Sequence, residues 1–272
     1  MKKFDFIKMH GLGNDFVIID ERHTRIELTN DEIISVANRH TGIGCDQLIT
    51  INNDLESNLF IRFFNSDGEE VSACGNGSRC VARLLMEENN DTTITIKTAA
   101  GLLYCKKISN DIISINMGVP KFKWNEIPLD KECDNSKIIF KINEMIISNP
   151  IFVNVGNPHA VFFVDDLNKF NIDDFGPVVE NYKIFPEKCN VTIAQILSKS
   201  HIKINVWERG AGKTLACGTA ACATAVAAST NNLCENEVVV SLPGGDLDIV
   251  YDTNIIMSGA TEISFKSNFE LN

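Results

Sequence analysis

Two of the nine cysteines in this 272-residue chain share their flanks. The segment Ala73-Cys74-Gly75-Asn76-Gly77-Ser78-Arg79-Cys80 recurs as Ala216-Cys217-Gly218-Thr219-Ala220-Ala221-Cys222, with the leading cysteines 143 residues apart. Each leads into a helical pattern, 76–88 in one case and 219–230 in the other, so both thiols are expected at helix N-termini. Free backbone N–H groups and the positive end of the dipole gather there. Such a place draws a thiol pKa from about 8.5 into or below the neutral range. The same N–H groups can hold a carboxylate, and Gly75 and Gly218 allow a close approach. Two related thiols facing one another across a cleft would meet a planar carbanion on both faces. One thiolate takes the α-proton, and the opposite thiol returns a proton to the other face. This two-base inversion needs a duplication, because one domain supplies only one face. No lysine lies in a motif that would bind pyridoxal phosphate, so the carbanion would depend on preorganised hydrogen bonds in a dry, closed site.

Other side chains extend the set. His159, in Gly156-Asn157-Pro158-His159, is a candidate to orient or deprotonate Cys74; the plainer alternative is a loop histidine bonded to backbone. Glu208 is a candidate to do the same for Cys217 or to bind an ammonium, against a solvated strand-end carboxylate. Arg209 offers a bidentate fork for a distal carboxylate, against a surface ion pair. Asn14, Asn65, Asn157 and Asn190 fall at loop or strand ends, where asparagine is common for turn chemistry alone. The remaining cysteines, Cys45 among them, read as small buried hydrophobes. There is no CxxC and no zinc spacing, so no metal is expected. Gly11-Leu12-Gly13 and Gly42-Ile43-Gly44 lack the third glycine of a dinucleotide fingerprint and read as turns.

The elements that would position these residues repeat at the same offset. Gly13-Asn14 maps onto Gly156-Asn157, Gln47 onto Asn190, Phe64-Asn65 onto Trp207-Glu208 and Gly101 onto Gly244. A shared offset without gaps implies a duplicated domain with pseudo-twofold symmetry. β-Branched and aromatic runs predict strands at 16–20, 58–65, 92–98 and 112–117, and again at 160–164, 201–207, 237–242 and 255–258. The second helix is small and apolar all round, which marks a buried helix. The expected fold is therefore α+β: two pseudo-symmetric domains, each a mostly antiparallel sheet wrapped around a central helix, with the active site in the cleft between them. The first half spans 1–118, with 264–272 expected to return to it. The second spans 119–263.

Composition bounds the function. Apolar residues make up 44% and charged residues 22%, as in ordinary globular chains. The formal net charge of −11 argues against nucleic acid as a partner. Asp5, Lys8 and His10 interrupt any apolar leader after Lys2-Lys3, and no apolar run approaches membrane-spanning length. A cytoplasmic protein with reduced cysteines and no membrane partner is expected.

At these residues the sequence resembles the diaminopimelate epimerases. The segments that carry the resemblance run in family order over nearly the whole chain: 10–16 (HGLGNDF), 42–47 (GIGCDQ), 64–68 (FNSDG), 73–77 (ACGNG), 156–159 (GNPH), 207–210 (WERG) and 216–219 (ACGT). The resemblance implies interconversion of LL- and meso-2,6-diaminopimelate without cofactor, in lysine and peptidoglycan-precursor biosynthesis, commonly by a homodimer. It implies Cys74 and Cys217 as the acid/base pair, assisted by His159 and Glu208. Gly75-Asn76 and Gly218-Thr219 would hold the reacting carboxylate. Asn14, Gln47, Asn65, Asn157, Asn190, Glu208 and Arg209 would read the distal amino-acid end. Cys45 departs from the pattern at a variable position, where a third thiol near the cleft could oxidise or pair wrongly. The rival readings are a proline-type racemase on the same scaffold, a thiol–disulfide oxidoreductase and a ligand-binding module without chemistry. A substrate with no second amino-acid head would leave Asn65, Asn190 and Arg209 without a task.

Overall fold

The computed structural model describes residues 2–54, 59–142 and 144–271. Its first stretch carries β1 (Lys2–Gly11), β2 (Asn14–Asp20), α1 (Asn30–Ala37), β3 (Gln47–Asn52), β4 (Phe60–Asn65) and β5 (Glu70–Val71). Then come α2 (Gly75–Asn89), β6 (Thr93–Thr98), β7 (Gly101–Lys107) and β8 (Ile112–Asn116). The second stretch opens with β9 (Ile139–Ile142), β10 (Met145–Ser148), β11 (Ile151–Asn154), β12 (Pro158–Phe163), α3 (Ile172–Glu180) and β13 (Asn190–Ser198). It continues through β14 (His201–Glu208), β15 (Gly212–Thr214), α4 (Gly218–Thr230), β16 (Glu237–Leu242), β17 (Gly245–Tyr251) and β18 (Ile255–Ala260), and β19 (Glu262–Leu271) ends the chain. The expected start of a strand at Asn58 lies outside the described residues.

These elements form two compact units, residues 1–115 with 259–272, and residues 116–258. In the first, β2–β3 and β4–β6 pair in parallel, and the other strand pairs are antiparallel. β19 runs the length of β1, from Lys2 opposite Leu271 to His10 opposite Glu262. In the second, β12–β13 and β14–β16 are the parallel pairs. Strands β11 to β18 thus repeat the pairing of β1 to β8 one for one. The register agrees to the residue: Phe16 opposes Gln47 as His159 opposes Asn190, Leu48 opposes Phe64 as Val191 opposes Trp207, and Phe63 opposes Val71 as Val206 opposes Thr214.

The offset does not hold to the end. The hairpin closed by Thr98 and Gly101 recurs at Leu242 and Gly245, one residue beyond the expected Gly244. Both Gly101 and Gly245 have positive φ, 122° and 139°, and only glycine takes that turn without strain. The second half therefore carries a one-residue insertion between its helix and its sixth strand.

Each unit packs its sheet on one long helix. α2 meets β1, β2, β6 and β7, and α4 meets β11, β12, β13, β14, β16 and β17. Gly77 lets α2 approach closely: a Cβ there would lie 2.7 Å from Ile49 Cδ1 and 3.1 Å from Phe63 Cε1. α4 is buried on nearly every side, Ala220 to Ala228 without exception. Its alanines leave room for strands on all faces, as its sequence suggested. Phe4, Phe6, Val17, Leu48 and Phe64 pack with α1 in one core of the first unit. Phe140, Phe152, Phe162, Phe175 and Phe185 build a core of the second around α3.

Candidate active site

In the first unit, Cys74 is the N-cap of α2, with extended backbone at φ −144° and ψ 115°. Its sulfur accepts from the Gly77 N–H at 3.4 Å. Asn14 reaches it from the start of β2, after a tight turn in which Leu12 and Gly13 both have positive φ. The Asn14 Oδ1 accepts from the Cys74 thiol at 3.9 Å and from Asn76 Nδ2 at 3.3 Å. Gln47 and Asn65 pair across β3 and β4, Gln47 Nε2 donating to Asn65 Oδ1 at 2.9 Å. The Gln47 Oε1 is buried and accepts no hydrogen bond from a described residue, which leaves an acceptor for a ligand N–H.

Ionic contacts fix the frame behind Asn14. Asp46 Oδ2 accepts from Asn14 Nδ2 at 2.9 Å and from the Asp15 N–H at 3.2 Å. Arg39 bridges Asp15 and Asp46 at 2.6 and 2.7 Å. Lys8 is buried, bonding Asp15 at 2.7 Å and the Gly44 carbonyl. Arg39 and Lys8 hold the Asp15 carboxyl below the usual carboxylate range, outweighing its burial. Sequence reasoning passed over Asp46, Asp15, Arg39 and Lys8. Asp46 lay inside a quoted motif, but nothing in its type marked it as a partner of Asn14.

In the second unit, Cys217 is the N-cap of α4 and is buried. Its Sγ lies 3.1 Å from Glu208 Oε2 and 3.4 Å from Thr219 Oγ1. Thr214, from the short strand β15, donates to the other Glu208 oxygen at 2.6 Å. Sequence reasoning also missed Thr214, because only the β14–β15 hairpin brings it to Glu208. Burial, then the Glu208 charge, pushes the Cys217 thiol well up from its ordinary value. The expectation that the helix end lowers this pKa is thus corrected: desolvation and an anion outweigh the dipole.

His159 is fully enclosed, and its Nε2 lies 2.8 Å from Asn157 Oδ1. Burial first, and then Arg209, lowers its pKa to about 3. The ring is therefore neutral, and its Nε2–H donates to Asn157. Asn157 Nδ2 in turn donates to Thr219 Oγ1 at 3.4 Å. Asn190 Nδ2 donates to the Pro158 carbonyl at 3.0 Å, and its Oδ1 accepts from the Arg209 N–H at 3.0 Å. The Arg209 side chain donates to the Glu187 carbonyl at 3.1 Å and forms no ion pair with another described residue. Behind it, the buried Glu180 accepts from Trp207 Nε1 and the Gly210 N–H at 2.8 and 2.9 Å.

The structure thus gathers Asn14, Cys74 and Asn76 in one unit, with Gln47 and Asn65 as a pair. In the other it gathers Asn157, His159, Glu208, Cys217 and Thr219, with Asn190 and Arg209 bonded to each other. Gly75 and Gly218 are the first helical residues of α2 and α4. Cys45 is buried, and burial pushes its thiol up to about 12. Its burial agrees with the reading of Cys45 as a small buried hydrophobe.

The model of the family "Diaminopimelate epimerase" matches residues 6–123 and 151–262. The unmatched stretch between contains the β9–β10 hairpin. The chain is 49% identical to the diaminopimelate epimerase of Pelagibacter ubique over 90% of each chain. It is 43% identical to that of a Bradyrhizobium species, covering 97% of this chain and 94% of the relative. Solved structures share the fold at low identity. A probable proline racemase from Agrobacterium radiobacter superposes with TM-score 0.70 at 12% identity, covering 99% and 93% of the two chains. A Bacillus anthracis phenazine biosynthesis protein of the PhzF family gives 0.67 at 17% over the whole of both.

Proposed function

The chain belongs to the diaminopimelate epimerase family, and on that premise we propose which of its side chains carry the reaction. The enzyme is an isomerase that interconverts LL- and meso-2,6-diaminopimelate in lysine biosynthesis. In our reading Cys74 and Cys217 are its two proton-transfer groups. One sulfur, as thiolate, takes the proton from the α-carbon, and the C–H electron pair stays on carbon. The other sulfur, as thiol, delivers its proton to the opposite face. The stereocentre inverts, and the thiol and thiolate exchange roles. No redox step or co-reactant is needed. The observation that carries this reading is the duplicated N-cap: both thiols stand at the first turn of the long helix in an otherwise equivalent half.

The substrate's reacting carboxylate is held on the free N–H groups at Gly75-Asn76 and Gly218-Thr219. That charge also helps the helix ends to stabilise the carbanion. Glu208 accepts the proton when Cys217 becomes a thiolate. Neutral His159 acts through Asn157, not as a base. Asn14, Gln47, Asn65, Asn157, Asn190, Glu208 and Arg209 read the distal head. The unpartnered Gln47 Oε1 is an acceptor suited to an ammonium.

Proton NMR of LL- and meso-diaminopimelate in D2O tests the assignment. Wild-type reduced enzyme with no added cofactor should wash out the α-proton and form the other isomer. Cys74→Ala and Cys217→Ala should each abolish inversion; a variant that still inverts its substrate removes that thiol from the pair. We further read the protein as a cytoplasmic homodimer. No described helix is long and apolar enough to cross a membrane, and Phe265 on β19 is half exposed. Sedimentation at micromolar concentration should give a dimer mass, and a monomer there would remove that part of the reading.

A further inference from the structure

Asn14 and Asn157 occupy the same position in the two halves, yet their amides are oriented in opposite senses. Asn14 offers its oxygen to the helix side, where Asn76 Nδ2 and the Cys74 thiol donate to it at 3.3 and 3.9 Å. Asn157 offers its nitrogen there, donating to Thr219 Oγ1 at 3.4 Å. The residues at the ends of each chain of hydrogen bonds explain the difference. In the first unit, the Asp46 carboxylate can only accept, and it takes Asn14 Nδ2 at 2.9 Å. At the other end the buried Arg79 guanidinium can only donate, and it gives to Asn76 Oδ1 at 2.9 Å. Two amides between an acceptor-only and a donor-only group have one self-consistent orientation. In the second unit, the neutral His159 donates to the far side of Asn157 at 2.8 Å and fixes the reverse orientation.

We propose that Asp46 is a positioning residue for the Cys74 thiol: by taking Asn14 Nδ2 it holds the Asn14 carbonyl oxygen toward the sulfur, so that Cys74 rests with its proton held. Asp46 is itself fixed by the Asp15 N–H at 3.2 Å and by Arg39 at 2.7 Å. The charged groups around this path are Asp15, Asp46, Arg39 and Lys8 from β1, β2 and the loop before β3, and Arg79 on α2. The Cys80 thiol directly follows Arg79 on α2. The consequence is an asymmetry between the two thiols. The Cys217 proton faces the Glu208 carboxylate at 3.1 Å. At Cys74 the Asn14 amide oxygen faces the sulfur at 3.9 Å. One thiol thus rests against a carboxylate and the other against an amide oxygen, and each serves as base in one direction of the inversion and as acid in the other.

The bearing of this asymmetry on turnover rests on the reading of both cysteines as proton-transfer groups. The interaction with Asp46 does not, so it is tested by thiol chemistry and not by turnover. The pH dependence of Cys74 alkylation by iodoacetamide, read on its peptide by mass spectrometry, gives the titration midpoint in the intact protein. Asn14→Ala removes the acceptor and should lower the midpoint by about one pH unit, a tenfold rise in thiolate fraction at neutral pH. Asp46→Ala frees the amide and should move it the same way by roughly half as much. Asp46→Asn keeps an acceptor oxygen for Asn14 while removing the charge, and should leave the midpoint at its wild-type value. In the Asn14→Ala background, Asp46→Ala should add nothing.

Three results would overturn the proposal. One is an Asp46→Asn shift as large as that of Asp46→Ala, which would make the effect a simple field of the charge. Another is an Asp46→Ala shift that persists without Asn14. The third is a folded Asn14→Ala protein whose midpoint does not fall, which decides the matter even if Asp46→Ala fails to fold. Loss of α-proton exchange in Cys74→Ala is a separate result, so the proposal about Asp46 and the reading of Cys74 stand or fall independently.

Discussion

Glu208 acts on Cys217 both as a hydrogen-bond acceptor and as a charge. At 3.1 Å it holds the thiol proton and raises the energy of the thiolate beside it. Removing the charge alone should separate the two effects. Glu208→Gln should bring the Cys217 titration down by about one pH unit, because an anion next to a buried sulfur disfavours its ionised form. It should also slow turnover about 10²-fold, because the proton has lost its receiver. Alkylation of the Cys217 peptide against pH, together with kcat, checks both. A lower midpoint with unchanged kcat would leave Glu208 as a spectator charge. The two thiols were legible in the sequence because a repeated flank marks a residue whatever its environment. Asp46 and Thr214 were not, because each matters through hydrogen bonds whose partners only the fold brings together. The direction of the Cys217 shift was also hidden. A helix end can be read from sequence, but enclosure beside a carboxylate cannot.

The two long helices differ at one position with a measurable consequence. Gly77 in α2 corresponds to Ala220 in α4, and Gly77 lies against the side chains of Ile49 and Phe63. The Gly77→Ala methyl would meet Ile49 Cδ1 at 2.7 Å, closer than carbon atoms approach. Ala normally gains about 1 kcal/mol over Gly inside a helix, and overpacking costs about 1–3 kcal/mol. The net should be destabilising, with a Tm lower than wild type by a few degrees. A Tm that rises would mean that Ile49 and Phe63 yield freely. Both helices were readable after the repeated cysteines, α4 as a run of small apolar residues without a polar face, as were the eight strands rich in β-branched residues. β1 was not, although Phe4 and Phe6 alternate with Lys3 and Asp5 as a half-buried strand requires. Lys8 and His10 break its apolar pattern, and Lys8 is tolerated inside only because Asp15 neutralises it. β3 hides for the opposite reason: it is apolar on both faces, with Leu48 and Ile49 fully buried, and so has no alternation to find.

At the scale of the molecule, the duplication was legible because Gly, Asn and Cys positions at fixed offset outlast drift in the core. The single insertion before β16 was not, since one glycine beside another, Gly244 beside Gly245, hides a shift of one. The core also carries a pH signature. His159 is enclosed with its pKa lowered from 6.5 to about 3, so the unfolded chain binds a proton that the folded chain refuses. That stability is present above pH 6.5 and is lost as pH falls toward 3, at up to ~1 kcal/mol per pH unit. Cys45, Cys80 and Cys105 are raised from 9.0 to about 12 by burial, so the folded chain keeps protons that the unfolded chain releases. That stability is intact below pH 9 and falls as pH climbs toward 12, each thiol adding up to ~1 kcal/mol per unit. Urea unfolding of the reduced protein at intervals from pH 4 to 10.5 should therefore show a plateau between about 6.5 and 9, with the steeper fall on the alkaline side. His159→Gln should flatten the acid limb alone, and Cys80→Ala should remove one thiol's share of the alkaline limb alone. If either limb keeps its wild-type slope in its own variant, the proton uptake or release arises elsewhere in the chain.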